Sequence, residues 1–155
     1  MRFLDASVSG GMPGTGAGTL AIMAGGSLHD FTEAAPVYSA LGRAQVVGPE
    51  GRQRAGYEVM QSMIVGAMIN IVAEALLLAQ AAVADPADVR ETIRGGFAGS
   101  RLREVHGQRM LDRNFVPRGQ VKSQLKDLRN VLDAAAEAGL ALTLTAAPAH
   151  SYESI

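Results

Sequence analysis

The sequence predicts an α+β chain in which the last strands of a larger sheet lead into a mainly α-helical portion with one long central helix. Three observations carry this. Glycines and short apolar runs punctuate the first fifty residues, as in strands and their turns. Helical periodicity takes over after Gly51. The run from Met63 to Ala84, MIVGAMINIVAEALLLAQAAVA, is apolar on nearly every side, which predicts a helix covered by protein on several faces.

The elements follow in order. FLDASVS reads as a strand, and Gly10, Gly11, Gly14, Gly16 and Gly18, with Pro13 among them, read as a glycine-rich loop. Thr19 to Ala24 (TLAIMA) is a second strand, closed by Gly25 and Gly26. Asp30 is placed to cap a short helix ending near Leu41, with Gly42 as its stop, and Ala44 to Val47 supplies a third strand. A strand, strand, helix, strand segment leaves sheet edges and one face uncovered, so it reads as the end of a larger sheet.

A long helix is expected from about Ala55 to Ala84. Asp85 as N-cap and Pro86 at the first position start the next one, which stops at Gly95 and Gly96. Ser100 is a cap for a third helix to about Leu111, and Asp112 to Gly119 (DRNFVPRG) is a loop. A fourth helix over about Gln120 to Ala138 puts Val121, Leu125, Leu128, Val131, Leu132 and Ala135 on one stripe. Gly139 stops it, and the tail through AHSYESI shows no periodicity. The chain therefore divides into residues 1–50 and an all-α portion, residues 51–155.

Composition narrows the function. The 155 residues are 48% hydrophobic, enough for a core, and the net charge of −1 lacks the basic excess of a nucleic-acid surface. With no cysteine there are no disulfides, thiolate metal sites or cysteine nucleophiles, which fits a reducing, cytoplasmic setting. His29, His106 and His150 stand far apart without HxH or HExxH spacing, so no metal is expected. The Met63 to Ala84 run is long enough to cross a bilayer. Asn70, Glu74 and Gln80 interrupt it, however, and no basic residue flanks it closely, so a helix buried by protein is expected and no membrane partner.

Several stretches resemble one family, the β-hydroxyacid dehydrogenases, which includes 3-hydroxyisobutyrate dehydrogenase and tartronate semialdehyde reductase. Leu4 to Gly11 (LDASVSGG) resembles the family's LDAPVSGG substrate-binding stretch, with Ser7 where proline is usual. Gly18 to Gly26 (GTLAIMAGG) resembles its GTLxIMxGG strand, and Arg94 to Ser100 (RGGFAGS) the RGGxAGS turn of the tartronate semialdehyde reductase branch. Met110 to Phe115 (MLDRNF), Lys126-Asp127-Leu128 and Leu142 to Ala147 (LTLTAA) follow in matching order. Six ordered matches over nearly the whole chain are specific where each alone is weak.

The resemblance implies hydride transfer between NAD or NADP and a small hydroxy or oxo acid. Family members begin with a Rossmann domain carrying G-x-G-x-x-G. Here Gly14-Thr15-Gly16-Ala17-Gly18 is a near miss that precedes a strand-like run, so phosphate binding there is not expected. The resemblance thus implies that residues 1–50 are the last strands of a truncated, Rossmann-type nucleotide-binding domain. Residues 51–155 are then an all-α C-terminal domain that stops short of the family's final helices. A homo-oligomer, or a separate Rossmann-domain chain, is the implied protein partner.

The family also implies site residues. The substrate loop falls on Ser9, Gly10 and Gly11, whose alternative role is simply to turn the chain. The family's general acid/base lysine, near the start of the long helix, falls on Glu58 when the helix is the anchor. It falls on Tyr57 when Gly48 and Gly51 are the anchor. Gln61 and Ser62 then occupy the positions of the asparagine that follows on the same face. Neither register gives lysine, because Lys122 and Lys126 are the only lysines in the chain. A lysine about 4 Å from a substrate carboxylate contributes on the order of 4 kcal/mol at an effective dielectric near 20, and a glutamate opposes binding comparably. Glu58 read plainly is an exposed early-helix residue favoured by the helix dipole. Lys126 matches the family's KD motif, whose lysine reaches toward the cofactor; read plainly, it is a solvated lysine paired within its helix.

Overall fold

In a computed structural model the described residues are mostly helical, with one three-stranded sheet among them. The structure describes residues 4–48 and 51–155, and the side chains of residues 47–58 lie outside that description. The chain divides into two compact units, residues 1–61 and 62–155.

The first unit is built on the sheet. Strands β1 (Asp5–Ser9), β2 (Leu20–Gly25) and β3 (Gly42–Gly48) lie in the order β1-β2-β3. β1 pairs antiparallel with β2, Ser9 opposite Ala21, and β2 pairs parallel with β3, Ile22 opposite Ala44. The two-residue alternation of β2 puts Leu20, Ile22 and Ala24 in the core, where Tyr38 joins them and Phe31, Ala34 and Ala44 pack around. The Phe31 and Tyr38 rings meet at 5.2 Å between centroids. A β-carbon on Gly42 would overlap the backbone of Leu20, its ladder partner, so only glycine fits where β3 begins.

Two local expectations are corrected here. The glycine-rich segment is a helix, α1 (Gly11–Ala17). Gly10, with φ 137°, turns the chain out of β1, and Pro13 sits in the first turn, where its missing N–H costs nothing. Gly18, in the left-handed region, closes the helix. Gly14 is buried against Leu20, so its lack of a side chain lets α1 lie on β2. The single helix expected between Asp30 and Leu41 is two, α2 (Leu28–Glu33) and α3 (Ala35–Leu41), broken ahead of Pro36. The cap is Ser27, whose hydroxyl oxygen accepts from the Asp30 N–H at 3.1 Å and donates to Asp30 Oδ2 at 2.7 Å.

The long helix is α4 (Gly51–Ala81), whose residues 62–81 belong to the second unit. Asp85 caps α5 (Pro86–Thr92) through an Ala87 N–H to Oδ1 bond of 2.7 Å, with Pro86 first in the helix. The Ser100 hydroxyl accepts from the Arg103 N–H at 3.1 Å, as its predicted capping role requires. The following helix widens into a π turn over Arg103–Gly107 before α6 (Gln108–Leu111). Arg103 is buried there; its Nη1 donates to the Arg90 carbonyl at 2.9 Å while Arg90 Nη2 donates to the Glu104 carbonyl at 3.0 Å.

Helix α7 (Val121–Glu137) buries Leu128, Val131 and Ala135 of the predicted stripe. It packs with α8 (Thr143–Glu153), where no helix was expected, and Arg129 joins Glu153 across the pair at 2.8 Å. The buried face of α8 is Thr145, Pro148 and Ala149, small residues at helical spacing that leave little trace in a hydropathy pattern.

Within the single chain α4 is covered over only part of its surface. Only a minor part of Val59–Ala81 is buried within the chain, and Ile64, Ile71, Leu77 and Leu78 are exposed. By length and composition this helix meets the requirement for crossing a bilayer.

Candidate functional site

Strand β1 ends at Ser9, where Gly10 and Gly11 take positive φ values of 137° and 56° that side chains other than glycine rarely adopt. The strand ladder therefore fixes the backbone of Ser9 while the next two residues turn away from the sheet. Gln61, on α4, comes to the same place: its Nε2 donates to Ser9 Oγ at 3.2 Å in a part-buried contact. Two of the sequence-predicted site residues, 52 positions apart, are thus in direct contact. Nothing local in either segment announces that pairing.

The other candidates distribute as follows. Tyr57 and Glu58 fall within α4, but their side chains lie outside the described residues. Ser62 is 7% exposed, and its backbone carbonyl accepts from Gln124 Nε2 at 3.0 Å, tying α4 to α7 within the second unit. Lys126 projects from α7 with its side chain 70% exposed and its Nζ 3.2 Å from Asp127 Oδ1. This is the geometry of a solvated lysine with a neighbouring carboxylate, and it leaves the ammonium open to a ligand.

Two perturbed groups lie in the second unit. Burial lowers the His106 pKa from its usual range, and the positive charges of Arg109 and Arg118 lower it further. Burial raises the Tyr152 hydroxyl, against a smaller opposing effect of the Asn70 side chain beside it. The same unit has a pocket of about 310 Å³ whose lining includes Ile71, Val72, Leu76, Val89, Ile93 and Phe97 together with Arg90 and Arg103. It includes none of the predicted site residues. Among the described residues no three His, Asp or Glu side chains gather as around a metal ion.

Known proteins match this arrangement along the chain. The family model for the NAD-binding portion of NADP-dependent 3-hydroxyisobutyrate dehydrogenase matches residues 57–155. The model for the NAD-binding domain of 6-phosphogluconate dehydrogenase matches residues 1–51. The chain belongs to the β-hydroxyacid dehydrogenase family. It is 43% identical to the 2-hydroxy-3-oxopropionate reductase of Escherichia coli, over 93% of this chain and 49% of that protein. A probable mitochondrial 3-hydroxyisobutyrate dehydrogenase-like protein of Arabidopsis thaliana is 34% identical over 90% of this chain and 41% of its own. The crystal structure of a 3-hydroxyisobutyrate dehydrogenase from Salmonella typhimurium superposes with a TM-score of 0.90 at 27% identity, covering 99% of this chain and 54% of that one. The Mycobacterium tuberculosis 3-hydroxyisobutyrate dehydrogenase, solved with L-serine, gives 0.79 at 27% identity over 97% and 54%. The chain spans about half the length of the curated relatives it matches.

The family's cofactor is NAD or NADP, and its members act on small hydroxy acids. The glycine-rich helix α1 does not fit a dinucleotide. A pyrophosphate cradle needs a glycine turn between a strand and a helix leading to a parallel strand. Here α1 joins β1 to β2, which pair antiparallel, whereas Gly25, the last residue of β2, and Gly26 stand ahead of α2 on the path to β3, which is parallel to β2.

Proposed function

We propose that this chain carries the substrate loop and helical portion of an NAD(P)-dependent 3-hydroxyacid dehydrogenase whose substrate is a small hydroxy or oxo acid of the 2-hydroxy-3-oxopropionate type. The contact between Ser9 and Gln61 supports this most directly, because it joins the substrate-loop serine to the helical position that follows the family's lysine. The similarity to the E. coli reductase supports the substrate class.

In this reading residues 1–50 are the last strands of a nucleotide-binding domain and residues 51–155 an all-α domain. Ser9, Gly10 and Gly11 hold the substrate carboxylate, Lys126 approaches the cofactor, and Tyr57 or Glu58 stands where the family has its lysine. Glu58 as a carboxylate has no proton to give to a developing alkoxide, whereas the Tyr57 hydroxyl has one, from a high pKa. Residues such as Ile64, Ile71 and Leu78 on the uncovered face of α4 form a contact between copies, and size-exclusion chromatography showing only monomer counts against that part.

The test combines the chain with the N-terminal half of the E. coli relative and follows NAD(P)H oxidation with 2-hydroxy-3-oxopropionate. Oxidation by the unaltered chain supports a dehydrogenase that works without the lysine. Oxidation only by Glu58→Lys or Tyr57→Lys locates the replaced lysine and supports a second reading, a non-catalytic remnant that kept the fold, lost the reaction and acts as a helical dimerisation or ligand-binding module, which the lack of any lysine besides 122 and 126 favours. No oxidation by any of the three overturns the dehydrogenase reading.

A further inference from the structure

We infer that Gln61 is a positioning residue whose amide holds the Ser9 hydroxyl with its proton free to be donated to a carboxylate. The inference rests on the reading of Ser9 to Gly11 as the substrate loop. A serine hydroxyl has one proton and two lone pairs. The Gln61 Nε2–H donates to Ser9 Oγ at 3.2 Å, which occupies a lone pair and leaves the proton for another acceptor. An unheld hydroxyl rotates and offers donor or acceptor equally; this one is biased toward an acceptor such as a carboxylate oxygen. Both ends are anchored, Ser9 by the β1–β2 ladder and Gln61 by α4. Ser9 is followed by glycines with positive φ, so the hydroxyl stands at the end of the strand without a neighbouring side chain on that turn. Gln61 acts through Ser9.

Exchange of the amide for a carboxylate reverses the polarity. Glutamate at 61 accepts only, takes the Ser9 proton and repels an incoming anion; once protonated it can donate again. The probe is glycerate, the product of reducing 2-hydroxy-3-oxopropionate, with glycerol as a neutral control. Its dissociation constant and the amide shifts of Ser9 to Gly11 are measured by NMR for the full chain at about pH 7 and about pH 4, where a glutamate is largely protonated and a hydroxy acid still mostly ionised. Gln61→Ala is expected to weaken glycerate binding about threefold to tenfold at both values. Gln61→Glu is expected to weaken it more than about tenfold at the higher pH and to recover toward the unaltered chain at the lower. Glycerol binding stays the same in all three proteins. Glycerate affinity unchanged in Gln61→Glu at about pH 7 shows the Ser9 proton directed at residue 61 and overturns the positioning role while leaving the substrate loop standing. The same loss for glycerol as for glycerate, or no recovery at low pH, overturns it as well. If glycerate leaves the Ser9 to Gly11 amides of the unaltered chain unmoved, the substrate-loop reading itself falls.

Discussion

Gly66 on α4 faces Leu128 on α7 so closely that a β-carbon on the glycine would stand 3.0 Å from Leu128 Cδ2 and 2.9 Å from Gln124 Nε2. Glycine inside a helix costs about 1 kcal/mol relative to alanine, so its presence here reflects the crossing of the two helices. Gln124 cannot swing aside freely, because the same Nε2 donates to the Ser62 carbonyl at 3.0 Å. Gly66→Ala is therefore expected to destabilise by about 1 kcal/mol net, the crowding outweighing the gain in helix propensity, and Gly66→Val by about 3 kcal/mol. Urea unfolding gives the answer; a Gly66→Ala chain more stable than the original would show that the helices separate easily.

The far side of that contact sets a second expectation. Leu128 is fully buried, 0% exposed, whereas Val121, on the same predicted stripe, is 43% exposed. Leu128→Ala removes apolar volume and leaves a cavity, at about 2–5 kcal/mol, while Val121→Ala costs less than about 1 kcal/mol. Thermal unfolding of the two variants should differ by many degrees. Equal shifts would mean that α7 presents a different face to its neighbours.

His106 predicts a pH dependence. Its folded pKa is lowered, chiefly by burial and further by Arg109 and Arg118. The unfolded chain, with the ordinary value of 6.5, therefore takes up a proton first as the pH falls. Stability contributed by neutral His106 is fully present above 6.5 and is lost as the pH drops from there toward the folded value. His106→Gln, which cannot titrate, should flatten the thermal midpoint between about pH 7 and pH 5 relative to the original chain. An unchanged slope would place the acid sensitivity in other groups.

How much of this was legible depended on how local each signal was. Asp85 with Pro86, and Ser100, cap their helices from within a few residues, and the alternation of β2 and the stripe of α7 are short-range patterns. The glycines of α1 read as a loop because their use is tertiary: Gly14 is small so that the helix can lie against Leu20. Helix α8 escaped because Thr145, Pro148 and Ala149 bury a face without strongly apolar residues. A helix apolar all round carries no directional information, so composition alone could not say which faces of α4 remain uncovered. In the candidate site, the identities of Ser9 and Gln61 came from motifs, but their contact depends on how β1 and α4 fold together.

Lys126 offers the sharpest separation of a structural from a binding role. Its contact with Asp127 joins adjacent helical residues, which do not share a face, and the side chain is 70% exposed. Such a pair adds little to stability in water. Lys126→Ala is therefore expected to unfold within about 0.5 kcal/mol of the original chain. In the combined assay with a nucleotide-binding half, the same variant should raise KM for NAD(P)H about threefold to tenfold at low salt, with kcat little changed. The difference should shrink as salt is added, because an exposed ammonium acting on phosphate is screened, and Lys126→Arg should retain most of the binding. A stability loss above about 1 kcal/mol would make the lysine part of the packing. A KM that ignores both the substitution and the salt would remove it from the cofactor site and leave Asp127 as its whole explanation.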